Sequence, residues 1–113
     1  MNVQIFGTKK SFDSKKAERY FKERGIKDQF VDMKEKGLSK GEFNSVCQAV
    51  GGYEKLIDPK CKDKNLLALV QYLSEEDKKE KILENQKIIR TPIVRNGKQA
   101  TVGYEPDVWK DWK

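Results

Sequence analysis

The chain has 113 residues, of which 36% are hydrophobic and 37% charged, and its net charge is +6. This length fits one domain, and the apolar residues are spread along it, which is atypical of a disordered chain. No apolar run approaches the ~20 residues of a membrane span, and two cysteines do not make a disulfide framework. We therefore expect no membrane partner, no signal peptide and a reducing, cytoplasmic setting.

The basic charge alone permits binding to nucleic acid or to anionic substrates. However, lysines alternate with acidic residues in stretches such as "KKAERYFKER" and "SEEDKKEKILE". Such mixed charge is typical of solvated helix faces with i,i+4 pairs. We therefore expect no direct nucleic-acid binding, and we also expect a monomer.

The first third of the chain predicts a βαβ unit. Residues 3–6 form an apolar strand, and a helix with its cap at Asp13 or Ser14 follows and stops at Gly25. The stretch "QFVDM", residues 29–33, is the second strand. A crossover of this length predicts that the two strands are parallel.

Three helices are predicted next. The first has its cap at Ser39 and ends at Gly51 and Gly52, the second spans residues 63–73, and Ser74 caps the third. An irregular connector, "YEKLIDPKC", joins the first two. The inward side chains of the first helix are those of Phe43, Val46, Cys47 and Val50.

The last third returns to strands. The stretch "KIIRTPIVRNGKQATVGY" predicts two strands joined by a turn at Asn96-Gly97, and a short helix begins near Pro106 and carries Trp109 and Trp112. The order of elements predicts an α/β fold with a helical insert between the βαβ and ββα halves of one four-stranded mixed sheet. We expect its strands near residues 3–6, 28–33, 87–90 and 98–103.

The loop before the first helix is a candidate anion site. Ser11 and Ser14 lie there with an S-x-x-S spacing. Free amides at the helix start, with Lys9, Lys10 and Lys15 nearby, could bind an oxyanion. The alternative is an ordinary loop with serine caps and surface lysines, and the residues alone favour it. The chain has no histidine, which excludes a Ser-His or Cys-His couple.

A second candidate lies in "IIRTPIVRNGK". Pro92 interrupts a strand-like run, which indicates a strand start, a bend or a cis peptide bond. Arg90 and Arg95 flank it as candidate anion ligands, although surface charge is the interpretation that the residues favour.

The two cysteines could form a redox pair, but two unpaired structural thiols are the favoured interpretation. Cys47 falls on the apolar face of its helix, where we expect it to be buried. Cys61 falls in the connector between Lys60 and Lys62, where we expect it to be exposed. No cluster of cysteine and aspartate has the spacing of a metal site.

The stretches "IFGTKKSFDSKKAERYFKERGI" and "RTPIVRNGKQATVGYEPD", with the helical insert between them, resemble the arsenate reductase and Spx-like branch of the thioredoxin-fold proteins. In that family the first stretch has the form aromatic-G-x-x-x-C-x-x-x-K-K/R-A, and the second contains R-P-I. The resemblance runs from Val3 to Trp112 and implies a single thioredoxin-like domain over residues 1–113.

The resemblance assigns family roles to individual positions. Ser11 stands where the family has its nucleophilic cysteine, and Ser14 where some members have a second cysteine. Thr91 replaces the expected oxyanion-binding arginine and precedes Pro92, the expected cis-proline. The resemblance implies that this cis bond lies within contact distance of Ser11. Arg90, one position early, could substitute for that arginine.

The resemblance implies a glutaredoxin-like thiol oxidoreductase of the arsenate reductase type, with no bound cofactor and with glutathione, glutaredoxin or thioredoxin as reductant. Because serine supplies no thiolate, we expect this activity to be impaired. The alternative is an Spx-like regulator that binds RNA polymerase, although the chain lacks the longer C-terminal extension of Spx. A third interpretation is a binder of a small oxyanion or a small thiol at the helix start.

Overall fold

A computed structural model describes residues 1–112 and shows a four-stranded mixed sheet with helices on both faces. Its elements, in chain order, are β1 (Val3–Gly7), α1 (Phe12–Glu23), β2 (Asp28–Asp32), α2 (Lys40–Val50), α3 (Lys64–Gln71), α4 (Glu75–Glu84), β3 (Ile93–Asn96), β4 (Gln99–Val102) and α5 (Pro106–Trp109). The segment from α2 to α4 is the predicted helical insert. Within the described residues, no helix has the length and apolar character that crossing a bilayer requires.

The strand order in the sheet is β2-β1-β3-β4. Strands β1 and β2 are parallel, with Val3 opposite Asp28, which confirms the predicted crossover. Strand β3 lies antiparallel on the other side of β1 and is joined to β4 by the predicted Asn96-Gly97 turn. Gly97 has a φ of 61°, which glycine adopts without strain. The predicted thioredoxin-like fold is therefore confirmed.

The prediction of a strand at residues 87–90 is wrong. Residues Gln86–Ile88 instead form a short 3-10 helix, and the chain then crosses the connector, where the amide of Arg90 donates to the Leu56 carbonyl at 2.7 Å. The strand begins at Ile93. Pro92 has no amide hydrogen to donate to a ladder, so the pairing with β1 starts after it.

The sheet separates two hydrophobic cores, because alternate residues of a strand face opposite sides. On one side, Phe6 and Ile93 pack with the helical insert. On the other side, Ile5 and Val94 pack with α1 and with Trp109 of α5. Both cores thus hold β1 and β3 together, and these are the strands that lead to the candidate site.

Candidate functional site

The candidate site lies at the end of β1 and begins at Gly7. A Cβ at this position would overlap the Oγ of Ser14 and would lie 2.8 Å from the Ser14 Cβ. Ser14 is 0% exposed, and its Oγ accepts a hydrogen bond from the amide of Thr8 at 3.3 Å. Glycine at position 7 therefore lets the first turn of α1 pack directly against the end of β1.

Ser11 is the N-cap of α1. Its Oγ accepts from the amide of Ser14 at 3.2 Å, and its own amide donates to the Thr8 carbonyl at 3.2 Å. The predicted cap at Asp13 or Ser14 is therefore wrong, because the helix already begins at Phe12. The hydroxyl of Ser14 is buried and accepts from the loop amide of Thr8 instead. The amides of Phe12 and Asp13 have no hydrogen-bond partner within residues 1–112, so both can donate to an anion.

The lysines predicted for the site add positive charge around this helix start. Lys9, Lys10 and Lys15 are exposed, and none of them forms an ion pair with another described residue. Asp13 in the first turn opposes them. The three cations and the positive end of the helix dipole outweigh the one carboxylate. The electrostatic potential at the helix start is therefore positive and favours an anion.

The Thr91-Pro92 peptide bond is cis, as predicted. Strands β1 and β3 pair with Phe6 opposite Ile93, so Pro92 falls one step further along, at the end of the sheet where β1 enters its loop. The structure therefore brings the Thr91-Pro92 segment and that loop to one end of the sheet. Direct contact between Ser11 and Pro92 stays a prediction.

The two arginines lie at different places. The Arg90 guanidinium is exposed and lies against Gly103, where a Cβ would be 3.0 Å from Nη2. The Gly103 amide donates to the Pro92 carbonyl at 2.8 Å, so Arg90 stays at the Pro92 end of the sheet. Arg95 points elsewhere, because its Nη1 donates to Gln4 Oε1 at 2.9 Å. Arg90 is therefore the better candidate for an anion ligand.

Both cysteines are unpaired and buried, each with 8% exposure. The burial of Cys47 on α2 confirms the prediction, and this burial raises the pKa of its thiol, against the opposing influence of Lys79. The exposure predicted for Cys61 is wrong. The connector folds back onto the segment before β3, where the Cys61 thiol donates to the Lys87 carbonyl at 3.7 Å. No group of three potential metal ligands occurs among residues 1–112.

Sequence reasoning missed one residue of this region. Phe12 follows Ser11 directly and is 81% exposed at the first position of α1. Its exposure could have been predicted from the helical spacing. Phe12 lies three positions before Lys15 and four before Lys16, and therefore on the same outward side of the helix as these lysines. An apolar ring thus stands on the surface beside Ser11.

Comparison with known proteins places the whole chain among proteins of similar size. The sequence profile of the ArsC family matches residues 6–112. An arsenate reductase from Vibrio cholerae is 25% identical with a TM-score of 0.82, over 96% of this chain and 94% of its own. A candidate ArsC family related protein from Bacteroides fragilis is 18% identical with a TM-score of 0.86, over 100% and 98% of the two chains. A candidate arsenate reductase from Yersinia pestis is 22% identical with a TM-score of 0.83, over 97% and 99%. No curated protein matches the sequence significantly.

Proposed function

Because this chain belongs to the ArsC family, we propose that it is an arsenate-reductase-like homologue of the thiol oxidoreductases whose own redox step is impaired. One observation carries the proposal. Ser11, which stands at the family's nucleophilic cysteine, is the N-cap of α1 and holds the hydrogen bond from the Ser14 amide at 3.2 Å. A helix N-terminus with exposed lysines nearby, at a side chain that carries no sulfur, is what supports the proposal.

The chemistry of the two side chains decides the outcome. A thiol in such a position ionises near neutral pH and attacks as the thiolate. A serine hydroxyl stays protonated there, and it cannot form the mixed disulfide on which reduction by a thiol depends. Cys47 and Cys61 are both buried in the core on the helical-insert side of the sheet, so neither replaces the missing sulfur at position 11.

Binding of a tetrahedral oxyanion is the second weak step in this proposal. Thr91 stands where the family resemblance leads us to expect an arginine, and arginine is the side chain that binds such anions in a bidentate way. Arg90 supplies a guanidinium from the neighbouring position, at Gly103. We propose glutathione, glutaredoxin or thioredoxin as the reductant for a thiol restored at position 11, and a monomer in the cytoplasm as its setting.

The test is arsenate reduction in the presence of glutathione and glutaredoxin. We expect the unmodified chain to give no turnover above the background without protein. Ser11→Cys should give a reactive thiol but slow turnover, and Ser11→Cys with Thr91→Arg should be faster. Ser39→Cys is the matched control, because Ser39 is also an N-cap whose Oγ accepts from the third helical amide at 3.2 Å.

Two results would contradict this proposal. Turnover by the unmodified chain would show that the redox step does not need sulfur at position 11. Efficient turnover by Ser11→Cys alone would show that Thr91 does not weaken the anion site.

An Spx-like regulator is the second candidate, and the exposure of Phe12 beside Ser11 favours it. Such a protein would bind RNA polymerase through its surface and without any thiol. Binding of the unmodified chain to purified RNA polymerase, lost in Phe12→Ser, would support this role. Equal binding of the two chains, or none, would count against it.

A further inference from the structure

The net charge of the chain is concentrated in one segment. Residues 7–27 contain eight lysines and arginines and three acidic residues, a net charge of +5 out of +6 for the whole chain. This segment is the loop of the candidate site, α1 and the turn that follows. The rest of the chain therefore carries a net charge of only +1, and most of the net positive charge lies in this segment.

On α1, four of these cations and one apolar residue form a continuous line along the helix. We call this line the basic stripe and define it as Phe12, Lys15, Lys16, Arg19 and Lys22. These residues recur every three or four positions and all are exposed, whereas Ser14, Ala17, Tyr20 and Phe21 face inward. At a rise of about 1.5 Å per residue, the stripe is about 15 Å long. Its apolar end, Phe12, lies beside Ser11.

The cations of the stripe lack close partners within the protein. None of them forms an ion pair within 4.0 Å among residues 1–112. The nearest interactions are weak: the Lys16 Nζ lies 5.4 Å from the Tyr104 ring centroid, and Lys22 acts on the carboxyl of Asp28 only through its charge. The predicted i,i+4 pairing along this face is therefore absent from the described structure, and like charges three or four positions apart destabilise the helix slightly.

Two shallow grooves flank the stripe and share Arg19. One, of about 340 Å³, is lined by Lys16, Tyr104 and Pro106 among others. The other, of about 570 Å³, is lined by Lys15, Lys22, Asp28 and Phe30 among others. An extended chain that follows α1 could place side chains in both grooves and its charges on the ridge between them.

We propose that the basic stripe is a docking surface for an acidic segment of another protein, with an apolar side chain of that segment packed on Phe12. Charge complementarity favours such a partner, because the stripe has four unpaired cations and an apolar ring at one end.

Nucleic acid fits the stripe less well than an acidic peptide does. Its phosphates form an uninterrupted row of negative charge, whereas Glu18, Glu23 and Asp28 stand in the grooves beside the cations. A peptide can place neutral residues opposite them. This inference does not depend on a redox step at position 11.

The probe for the test is a fluorescein-labelled glutamate-rich peptide that contains one leucine, and its binding is followed by fluorescence anisotropy. We expect the double variant Lys15→Glu with Arg19→Glu to weaken binding at least about tenfold. The milder double variant Lys15→Gln with Arg19→Gln should weaken binding by less.

The control is the double variant Lys62→Glu with Lys98→Glu, which changes the net charge by the same amount at exposed positions outside the stripe. We expect the control to weaken binding less than about twofold. Equal losses in the two Glu variants would overturn the proposal, because the attraction would then come from net charge alone.

Phe12 is tested by a double-mutant cycle. Phe12→Ser should weaken binding of the leucine peptide but not of a peptide in which serine replaces the leucine. Equal losses for the two peptides would overturn the assigned contact. Tighter binding of single-stranded or duplex DNA than of the peptide, at the same salt concentration, would overturn the choice of an acidic protein as the partner.

Discussion

Replacement of Gly7 by alanine should destabilise the protein strongly, although the residue lies in a strand and not in a left-handed turn. The new Cβ would overlap the Oγ of Ser14, lie 2.8 Å from its Cβ and lie 3.5 Å from Phe30 Cε2. Overpacking of a buried contact costs about 1–3 kcal/mol, and loss of the bond between the Ser14 Oγ and the Thr8 amide costs about 1 kcal/mol. We therefore expect Gly7→Ala to lower the free energy of unfolding by about 2–4 kcal/mol, a large share of the ~5–15 kcal/mol of a typical domain.

Urea denaturation followed by circular dichroism measures this loss, and a double-mutant cycle identifies its cause. Ser14→Gly removes both atoms that the alanine would strike, so the double variant should be more stable than the sum of the single effects predicts. Gly41→Ala is the matched control. A Cβ at Gly41 on α2 has no neighbour within 4 Å, and this change should stabilise the helix by about 0.5–1 kcal/mol. A loss below about 0.5 kcal/mol for Gly7→Ala, or additive effects in the cycle, would refute the packing of α1 on β1.

Three further predictions concern residues outside the site. Burial raises the pKa of the Asp28 carboxyl, and this effect outweighs its backbone hydrogen bond and the charge of Lys22, which both lower the pKa. Because the ionised carboxylate then opposes folding, Asp28→Asn should be more stable than the unmodified chain at pH 7. The difference in stability should shrink as the pH falls through the raised pKa, where Asp28 becomes protonated. The buried Nε1 of Trp109 donates to Thr101 Oγ1 at 2.7 Å, so Trp109→Phe should cost at least about 1–3 kcal/mol in urea denaturation, and Thr101→Val should recover part of the loss. Cys47 and Cys61, both buried, should react with iodoacetamide slowly in the folded protein and rapidly in urea, as mass spectrometry would record; fast native labelling of either would contradict its burial.

The parts of the fold that local chemistry determines were predictable. The parallel pairing of β1 with β2 follows from the length of the crossover, and the β3–β4 hairpin follows from Asn96-Gly97. The third strand was misplaced because the β-branched pairs in "KIIR" and "PIVR" both favour a strand. Long-range backbone bonds hold residues 88–90 on the connector, from the Arg90 amide to the Leu56 carbonyl and from the Asp58 amide to the Ile88 carbonyl. Pro92, which has no amide hydrogen, then delays the pairing with β1 until Ile93.

The candidate site shows the same division. Its position at a strand-loop-helix junction and the cis bond before Pro92 were predictable. The choice of cap was not, since Ser11, Asp13 and Ser14 are all good N-cap residues. The contact of Ser14 with Gly7, which is seven positions earlier, buries Ser14 and leaves Ser11 as the cap. Cys61 was predicted to be exposed for a similar reason, because its burial depends on a segment 26 residues away in the sequence.

The central claim is that position 11 keeps an environment made for a thiolate and lacks only the sulfur, and the pKa of a cysteine placed there tests it most directly. Ser11, Ser39 and Ser74 are all N-caps whose Oγ accepts from the third helical amide, at 3.2, 3.2 and 3.3 Å. The charges near these caps differ. Lys9, Lys10 and Lys15 are close to Ser11 in the sequence, whereas the Glu42 carboxylate accepts from the Ser39 amide and three acidic residues, Glu75, Glu76 and Asp77, follow Ser74.

The three single cysteine variants form a matched series, and the pH dependence of their alkylation rates gives each thiol pKa. We expect the pKa of Ser11→Cys to lie well below the ordinary value of about 8.5, and the pKa of Ser74→Cys to be the highest of the three. A pKa for Ser11→Cys equal to or above that of Ser39→Cys would contradict the claim that this loop is the site of a lost nucleophilic thiol.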